Sequence, residues 1–122
     1  MDALLYVASA LTGLWGVAHL AATRGVVSGF GELNADNRRI ITMEWIVEGV
    51  ALVSLAALVL AVTAVDATAS ASAVAYIVAI VTLIVLAGVS LFTGFRVKFL
   101  PFRLCPVIFT LAAALIALGA WL

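Results

Sequence analysis

Four long apolar runs are the feature that most constrains this chain. They cover residues 3–23, 40–64, 74–95 and 106–122. A helix needs about 20 residues to cross about 30 Å of hydrocarbon, because it rises about 1.5 Å per residue. In lipid only helices and closed barrels satisfy every backbone polar group, and no run alternates with the period of two that a barrel strand needs. The sequence therefore predicts an all-α integral membrane protein, a single-domain antiparallel bundle of four transmembrane helices.

The composition agrees with this fold and excludes other classes of protein. Of the 122 residues, 67% are hydrophobic and 10% are charged, with six basic and six acidic side chains. These charges are too few to cover a soluble protein, since an ordinary globular chain is about one quarter charged. Without a basic excess we expect no nucleic-acid partner, and one cysteine excludes a disulfide scaffold. Membrane lipid is therefore the expected partner of most of the surface.

The connections between the runs carry turn and cap signals. Glycine and Asx residues are frequent in residues 25–39 and favour turns. The side chain of Asn34, Asp36 or Asn37 is suited to accept a hydrogen bond from the first N–H groups of the second helix. Pro106 fits the first turn of the fourth helix, where a missing N–H costs little.

All the basic residues fall in two of the three connections. They are Arg24, Arg38, Arg39, Arg96, Lys98 and Arg103. In an antiparallel bundle these two connections lie on one side of the membrane, whereas the other side carries only Asp2 and Asp66. The positive-inside rule then predicts a multi-pass protein of the cell membrane, with both basic connections in the cytoplasm and both termini outside.

Two further expectations concern the first run and the aromatic residues. Asp2 precedes the first run and Arg24 follows it, which reverses the charge order of a signal peptide, so we expect a retained span. Aromatic side chains are frequent at membrane interfaces. By position, we expect Tyr6, Tyr76 and Trp121 at the outer interface, and Trp45, Phe95, Phe99 and Phe102 at the inner one.

Three ionisable residues lie inside the apolar runs, where lipid makes charge costly. His19 lies near the cytoplasmic end of the first helix. Glu44 and Glu48 lie about 7 Å and about 13 Å beyond Arg39 along the second helix. The two helices are antiparallel, so all three residues are expected at overlapping depth. Because Glu44 and Glu48 are four residues apart, they project from one face of their helix.

Further side chains at this level of the first and third helices are expected to bind a substrate. They are Thr12, Trp15, Ser90, Thr93 and Arg96. With His19 and the two glutamates they predict a polar pocket that opens to the cytoplasm. The opposite half of the bundle has few polar residues, and this asymmetry argues against a channel, which needs polar groups along its whole length.

The first functional hypothesis is an intramembrane enzyme or a binding protein for a hydrophobic small molecule or lipid. Two carboxyls four residues apart in a low dielectric cannot both ionise comfortably. A protonated carboxyl beside an imidazole can exchange protons near neutral pH. We therefore predict catalytic roles for Glu48 as the acid, His19 as the base or orienting partner, and Glu44 as a second carboxylate.

Two other hypotheses fit the same residues. One is a small proton-coupled transporter, a homo-oligomer in which Glu48 carries the proton. The other is a structural or accessory subunit, in which the cluster only fixes helix register. We expect no cofactor and no metal, because one histidine and two glutamates on two helices lack a recognised ligand spacing.

Simpler structural roles are open for each of these residues. Glu44 can pair with Arg39 or Arg96 at the membrane edge, and His19 can hydrogen-bond a neighbouring helix. Glu48 lies deepest in the second helix, where an ionised carboxyl is most costly. It is therefore the strongest candidate for a functional residue.

Overall fold

The structure, a computed structural model, describes residues 2–122, and this part of the chain forms five α-helices. They are α1 (Asp2–Ala21), α2 (Thr23–Gly29), α3 (Ala35–Asp66), α4 (Ser70–Thr93) and α5 (Leu100–Trp121). Four of them, α1, α3, α4 and α5, are long and apolar enough to cross a membrane. The predicted all-α fold with four apolar helices is confirmed, and α2 is an addition to it.

Helix α2 occupies the start of a connection that the sequence predicts as turns. Its hydrogen bonding begins with Val26 N donating to Ala22 O at 3.0 Å, and Val27 is buried. Burial of this valine against the bundle outweighs the low helix propensity of the neighbouring glycines. The turn follows at Gly31, whose φ of 75° suits a residue without a Cβ. Asn34 then caps α3 by accepting a hydrogen bond from Asn37 N at 2.8 Å.

Three of the long helices begin before the apolar runs that predict them. They begin at Ala35, Ser70 and Leu100 instead of residues 40, 74 and 106. An apolar run marks the part of a helix that suits lipid, whereas the backbone hydrogen bonds continue into water. Helix α3, with 32 residues, is about 48 Å long and exceeds the thickness of the hydrocarbon core.

The predicted position of Pro106 in the first turn of the last helix was wrong. Helix α5 begins at Leu100 with Pro101 in its first turn, and Pro106 lies inside it. Pro101 takes the position where a missing N–H costs little, which lets the helix start earlier. Proline inside a membrane helix is tolerated because neighbouring groups compensate for the lost backbone bond.

Helix α1 packs closely against α3 through glycine. A Cβ added at Gly13 would lie 3.3 Å from Ala56 Cβ, and one added at Gly16 would lie 3.0 Å from Val53 N. The residue numbers rise along α1 as they fall along α3, so the two helices are antiparallel. Small residues permit this close backbone approach, which provides much of the attraction between helices in lipid.

The remaining helices complete a four-helix bundle around an apolar core. Helix α1 also contacts α5, and α4 contacts α5 and α3. The largest fully buried side chains are Leu5, Leu52, Val59, Tyr76, Leu83, Phe109 and Ile116. Within the ring of four long helices, the interface between α3 and α4 is the smallest.

Tyr76, which the sequence predicts at the outer interface, is buried in this core. Its ring is 1% exposed, and its hydroxyl is 2.9 Å from Thr63 Oγ1. A buried tyrosine is stable when its hydroxyl has a hydrogen-bond partner, and Thr63 supplies one from α3. This bond joins α3 to α4 near their connection.

We predict that the Gly16→Ala substitution destabilises the bundle. The added methyl group would lie 2.9 Å from Val53 Cγ2 and 3.0 Å from Val53 N, so α1 and α3 would have to separate. Overpacking of this kind costs about 1–3 kcal/mol. Denaturant titration in detergent micelles, followed by circular dichroism, measures the loss.

The matched control is Gly88→Ala, because an added Cβ there meets nothing within 4 Å. Its free energy of unfolding should stay level or rise by up to about 1 kcal/mol, owing to the better helix propensity of alanine. Equal stabilities for the two variants would contradict close glycine packing.

Candidate functional site

A cavity of about 440 Å³ lies at the end of the bundle that carries the basic connections. All five helices contribute to its wall. The wall includes Trp15, His19, Val26, Trp45, Glu48, Ser90, Thr93, Phe102 and Cys105. Most of this surface is apolar or aromatic, and the described residues place no lysine or arginine in it. Its size lies within the range of about 300–1,000 Å³ typical of small-molecule sites.

His19 and Glu48 meet at the wall of this cavity. The distance from His19 Nε2 to Glu48 Oε2 is 3.4 Å, which is an ion-pair distance. His19 is only 8% exposed, and among the described residues its Nε2 has no partner with hydrogen-bond geometry. A buried polar atom without a hydrogen bond is costly in a native protein. The imidazole therefore presents an unused hydrogen-bonding position at the cavity wall.

Trp45 fixes the position of the His19 ring. The two rings stack with their centroids 3.8 Å apart and an angle of 11° between their planes. Trp45 Nε1 also donates a hydrogen bond to the backbone oxygen of His19 at 2.7 Å. His19 lies in the last turn of α1, where carbonyl groups lack a donor within the helix. The Trp45 indole thus supplies a donor to the His19 carbonyl, and its ring face holds the imidazole by stacking.

Aromatic rings from the start of α5 extend this wall. The Phe102 ring lies 5.6 Å from the Trp45 ring, and the Phe99 ring lies 6.0 Å from the Phe102 ring. The planes are tilted by 59° in both pairs, an arrangement that aromatic pairs favour. Trp45, Phe102 and Phe99 therefore form a continuous aromatic wall that joins α3 to the start of α5.

The other polar groups of the wall are held by their own helices. Ser90 Oγ donates to Leu86 O at 2.7 Å, and Thr93 Oγ1 donates to Val89 O at 2.6 Å. Because each hydroxyl already donates its hydrogen to a backbone carbonyl, its oxygen can act only as an acceptor toward a ligand.

Trp15 and Cys105 line the cavity on the α1–α5 side. The Trp15 indole nitrogen lies near the Cys105 thiol, but it is buried without an acceptor of hydrogen-bond geometry. The thiol itself points toward Pro101 O at 3.4 Å. Trp15 Nε1 is thus a second buried donor that lacks a full hydrogen bond at this site.

Three predicted site residues lie outside the cavity. Thr12 is buried and donates a hydrogen bond to Ala8 O at 2.9 Å. Glu44 is exposed on the outer face of α3, and Arg96 is exposed beyond the end of α4. The expected pairing of Glu44 with Arg39 is not seen, because Arg39 Nη1 instead lies 3.4 Å from Asp36 Oδ1.

Five predicted site residues do line the cavity, namely Trp15, His19, Glu48, Ser90 and Thr93. The aromatic wall formed by Trp45, Phe99 and Phe102 was missed, because its members are also typical interface residues. One signal pointed to it: Trp45 lies three residues before Glu48 and therefore shares its helix face.

No protein-family model matches the chain, no curated protein matches it as a relative, and no solved structure matches its fold. The residues of the cavity are therefore the basis for a functional proposal. Over residues 2–122, no three His, Cys, Asp or Glu side chains cluster closely enough to hold a metal ion.

We predict that Trp45→Phe weakens the bundle while preserving the ring stack. Phenylalanine retains an aromatic face for His19 but loses the 2.7 Å hydrogen bond to its carbonyl oxygen. The loss of one such bond costs about 1 kcal/mol. Thermal unfolding in detergent, followed by circular dichroism, measures the change.

Trp121→Phe is the matched control, because Trp121 is 53% exposed at the opposite end of the bundle. Its melting temperature should stay within error of the unsubstituted protein. If both substitutions lower the melting temperature equally, the hydrogen bond from Trp45 is not the cause.

Proposed function

We propose that this chain is a multi-pass membrane protein that binds a hydrophobic small molecule in the cavity around His19 and Glu48. The observation that carries the proposal is the His19 imidazole. It is buried, it lines the cavity, and its Nε2 lacks a hydrogen-bond partner among the described residues. A bound molecule can supply that partner and fill the apolar volume.

The same observation weighs against a purely structural role for the cluster. A polar cluster that only fixes helix register is expected to satisfy its own hydrogen bonds, since half-satisfied buried networks are costly. Trp15 Nε1 and His19 Nε2 both lack them. These two atoms without hydrogen-bond partners therefore favour a ligand-binding role over a purely structural one.

The packing beyond the cavity favours binding over transport. The middle of the bundle is filled by fully buried apolar side chains, including Leu52, Leu83 and Phe109. Ser54, the polar residue that follows Glu48 along α3, is exposed on the outside of the helix. A proton or solute route needs polar groups or water along its length. The apolar residues beyond the cavity provide no such route, so the cavity is closed toward the middle of the bundle.

We propose binding and do not propose catalysis. His19 and Glu48 are close enough to exchange a proton, which is the acid–base chemistry the site has to offer. A reaction also needs a group that stabilises developing charge. The donors of Ser90, Thr93, Cys105 and Trp45 are already used by backbone oxygens, so among the described wall residues Trp15 Nε1 is the remaining donor apart from this pair.

We further propose that the cavity lies on the cytoplasmic side of the membrane. All the basic residues flank this end, in α2, at the start of α3 and in the residues from Arg96 to Arg103. The opposite end carries Asp2 and Asp66. By the positive-inside rule, the basic connections face the cytoplasm and both termini lie outside.

This orientation predicts the labelling of single cysteines in a Cys105→Ala background. Thr68→Cys, between α3 and α4, should react with a membrane-impermeant maleimide in intact cells. Ser28→Cys, in α2, should react only after the membrane is permeabilised. Both positions are exposed, so burial does not limit either reaction. The reverse pattern would place the cavity outside the cell.

We predict that Ala22→Leu weakens binding of a hydrophobic probe. Ala22 lines the cavity, so the larger side chain fills part of its volume. In nanodiscs of a Trp121→Phe protein, 4-bromobiphenyl should quench the fluorescence of Trp15 and Trp45 in a saturable way. Ala22→Leu should raise the half-saturating concentration by about tenfold, which corresponds to about 1.4 kcal/mol.

Ala21→Leu is the matched control, because Ala21 is exposed and does not line the cavity. It should leave the half-saturating concentration unchanged. Quenching that rises linearly with probe in every variant would mean only partition into lipid, and the binding proposal would fail.

A further inference from the structure

The ionisable groups that face each other at the cavity wall are one carboxyl and one imidazole, and no described lysine or arginine lies beside them. Glu48 is the carboxylate of this wall, and the described residues place no lysine or arginine next to it. The basic group that does face it is the His19 imidazole at 3.4 Å, which is charged only when protonated. An ionised carboxylate in a low dielectric is costly unless a cation accompanies it. A positively charged ligand can supply that charge.

Aromatic rings line the same cavity as Glu48. Trp15, Trp45, Phe99 and Phe102 all line the cavity, and the Phe102 ring contacts the rings of both Trp45 and Phe99. The face of an aromatic ring attracts a cation within about 6 Å of its centre, and tryptophan does so most strongly. Several rings beside one carboxylate are the chemistry that recognises quaternary or protonated amines.

Glu48 is also partly exposed on the outer face of α3. It lines both the cavity and a shallow groove on the outer face of α3, formed with Ile40, Ile41, Glu44 and Val47. Its side chain is 41% exposed. The groove holds two carboxylates, and the described residues place no basic side chain in it. A cation at the membrane surface can therefore reach Glu48 along α3 without crossing the bilayer.

We propose that the cavity binds a lipophilic cation, namely a protonated amine that carries an apolar group, or its quaternary analogue. The N–H of a protonated amine can donate the hydrogen bond that His19 Nε2 lacks. This inference rests on the proposed binding function and names the class of its ligand. The amine lies against the Glu48 carboxylate and the faces of Trp45 and Phe102, while the apolar group fills the remaining volume. A fatty acid would set two negative charges against each other, and a neutral molecule would leave Glu48 without a cation.

The test uses two probes that differ only in charge. Benzyltrimethylammonium and neopentylbenzene have the same shape, with a quaternary nitrogen in one replaced by carbon in the other. Binding of each to the protein in phosphatidylcholine nanodiscs is measured by equilibrium dialysis, and uptake by empty nanodiscs is subtracted. We expect the cation to bind about tenfold more tightly than its neutral counterpart, which corresponds to about 1.4 kcal/mol.

Matched variants test whether Glu48 and Phe102 cause the preference for the cationic probe. Glu48→Gln should weaken binding of the cation by about tenfold and leave the neutral probe unchanged. Glu32→Gln removes the same charge from the exposed connection between α2 and α3, outside both the cavity and the groove, and should change neither Kd by more than about twofold. Phe102→Leu keeps an apolar side chain but removes an aromatic face, and it should weaken only the cation, by about threefold or more.

The outcomes separate this inference from the function on which it rests. Equal Kd values for the two probes, unchanged in Glu48→Gln, would overturn the cationic class and leave a hydrophobic site. The cationic class is likewise overturned if Phe102→Leu weakens both probes equally. If neither probe binds above the level of empty nanodiscs, the proposed binding function fails as well.

Discussion

Close contact between α1 and α3 sets the geometry on which the candidate site depends. Lipid provides no hydrophobic drive that pulls two apolar helices together, so their association relies on van der Waals packing and interhelical hydrogen bonds. Gly16 lets the two backbones approach, and the Trp45 indole then reaches the His19 carbonyl at the end of the same interface. With a larger residue at Gly16, neither the ring stack nor the 3.4 Å approach of His19 to Glu48 would be kept. The chemistry of the cavity is thus a product of helix packing.

The two ends of the bundle are built differently. Near the α3–α4 connection, Thr63 bonds Tyr76 across the helix interface, and Ser72 Oγ donates to Asp66 O at 2.6 Å. There Thr63 and Tyr76 satisfy each other and Ser72 bonds a backbone oxygen. By contrast, Ser9 Oγ, further along α1, is buried without a hydrogen-bond partner among the described residues. At the basic end the helices enclose a cavity, and the polar atoms of His19 and Trp15 lack partners. Unpartnered buried polar atoms that also line a cavity support a binding site at the basic end of the bundle.

Hydropathy alone predicts the four apolar helices, because the need to satisfy the backbone in lipid leaves few other structures. The proximity of His19 and Glu48 also follows from the sequence, since two antiparallel helices joined by a short connection align their polar residues in depth. The placement of Glu44 does not follow from spacing. Residues four apart in a helix are rotated by about 40° and shifted by about 6 Å, which is enough to move Glu44 out of the cavity. The role of Phe102 depends on where α5 begins, and the two nearby prolines made that start ambiguous.

The proline inside α5 has a mechanical consequence for the site. Because Pro106 has no N–H, the carbonyl of Phe102 cannot receive its usual hydrogen bond from four residues further along the helix. Helix α5 therefore lacks a backbone hydrogen bond where the segment with Phe102 and Cys105 joins the part of the helix that packs in the core. Sharp bends of helices occur at such points. Within α5, the missing bond separates the turns that carry Phe102 and Cys105, which line the cavity, from the part of the helix that packs in the core.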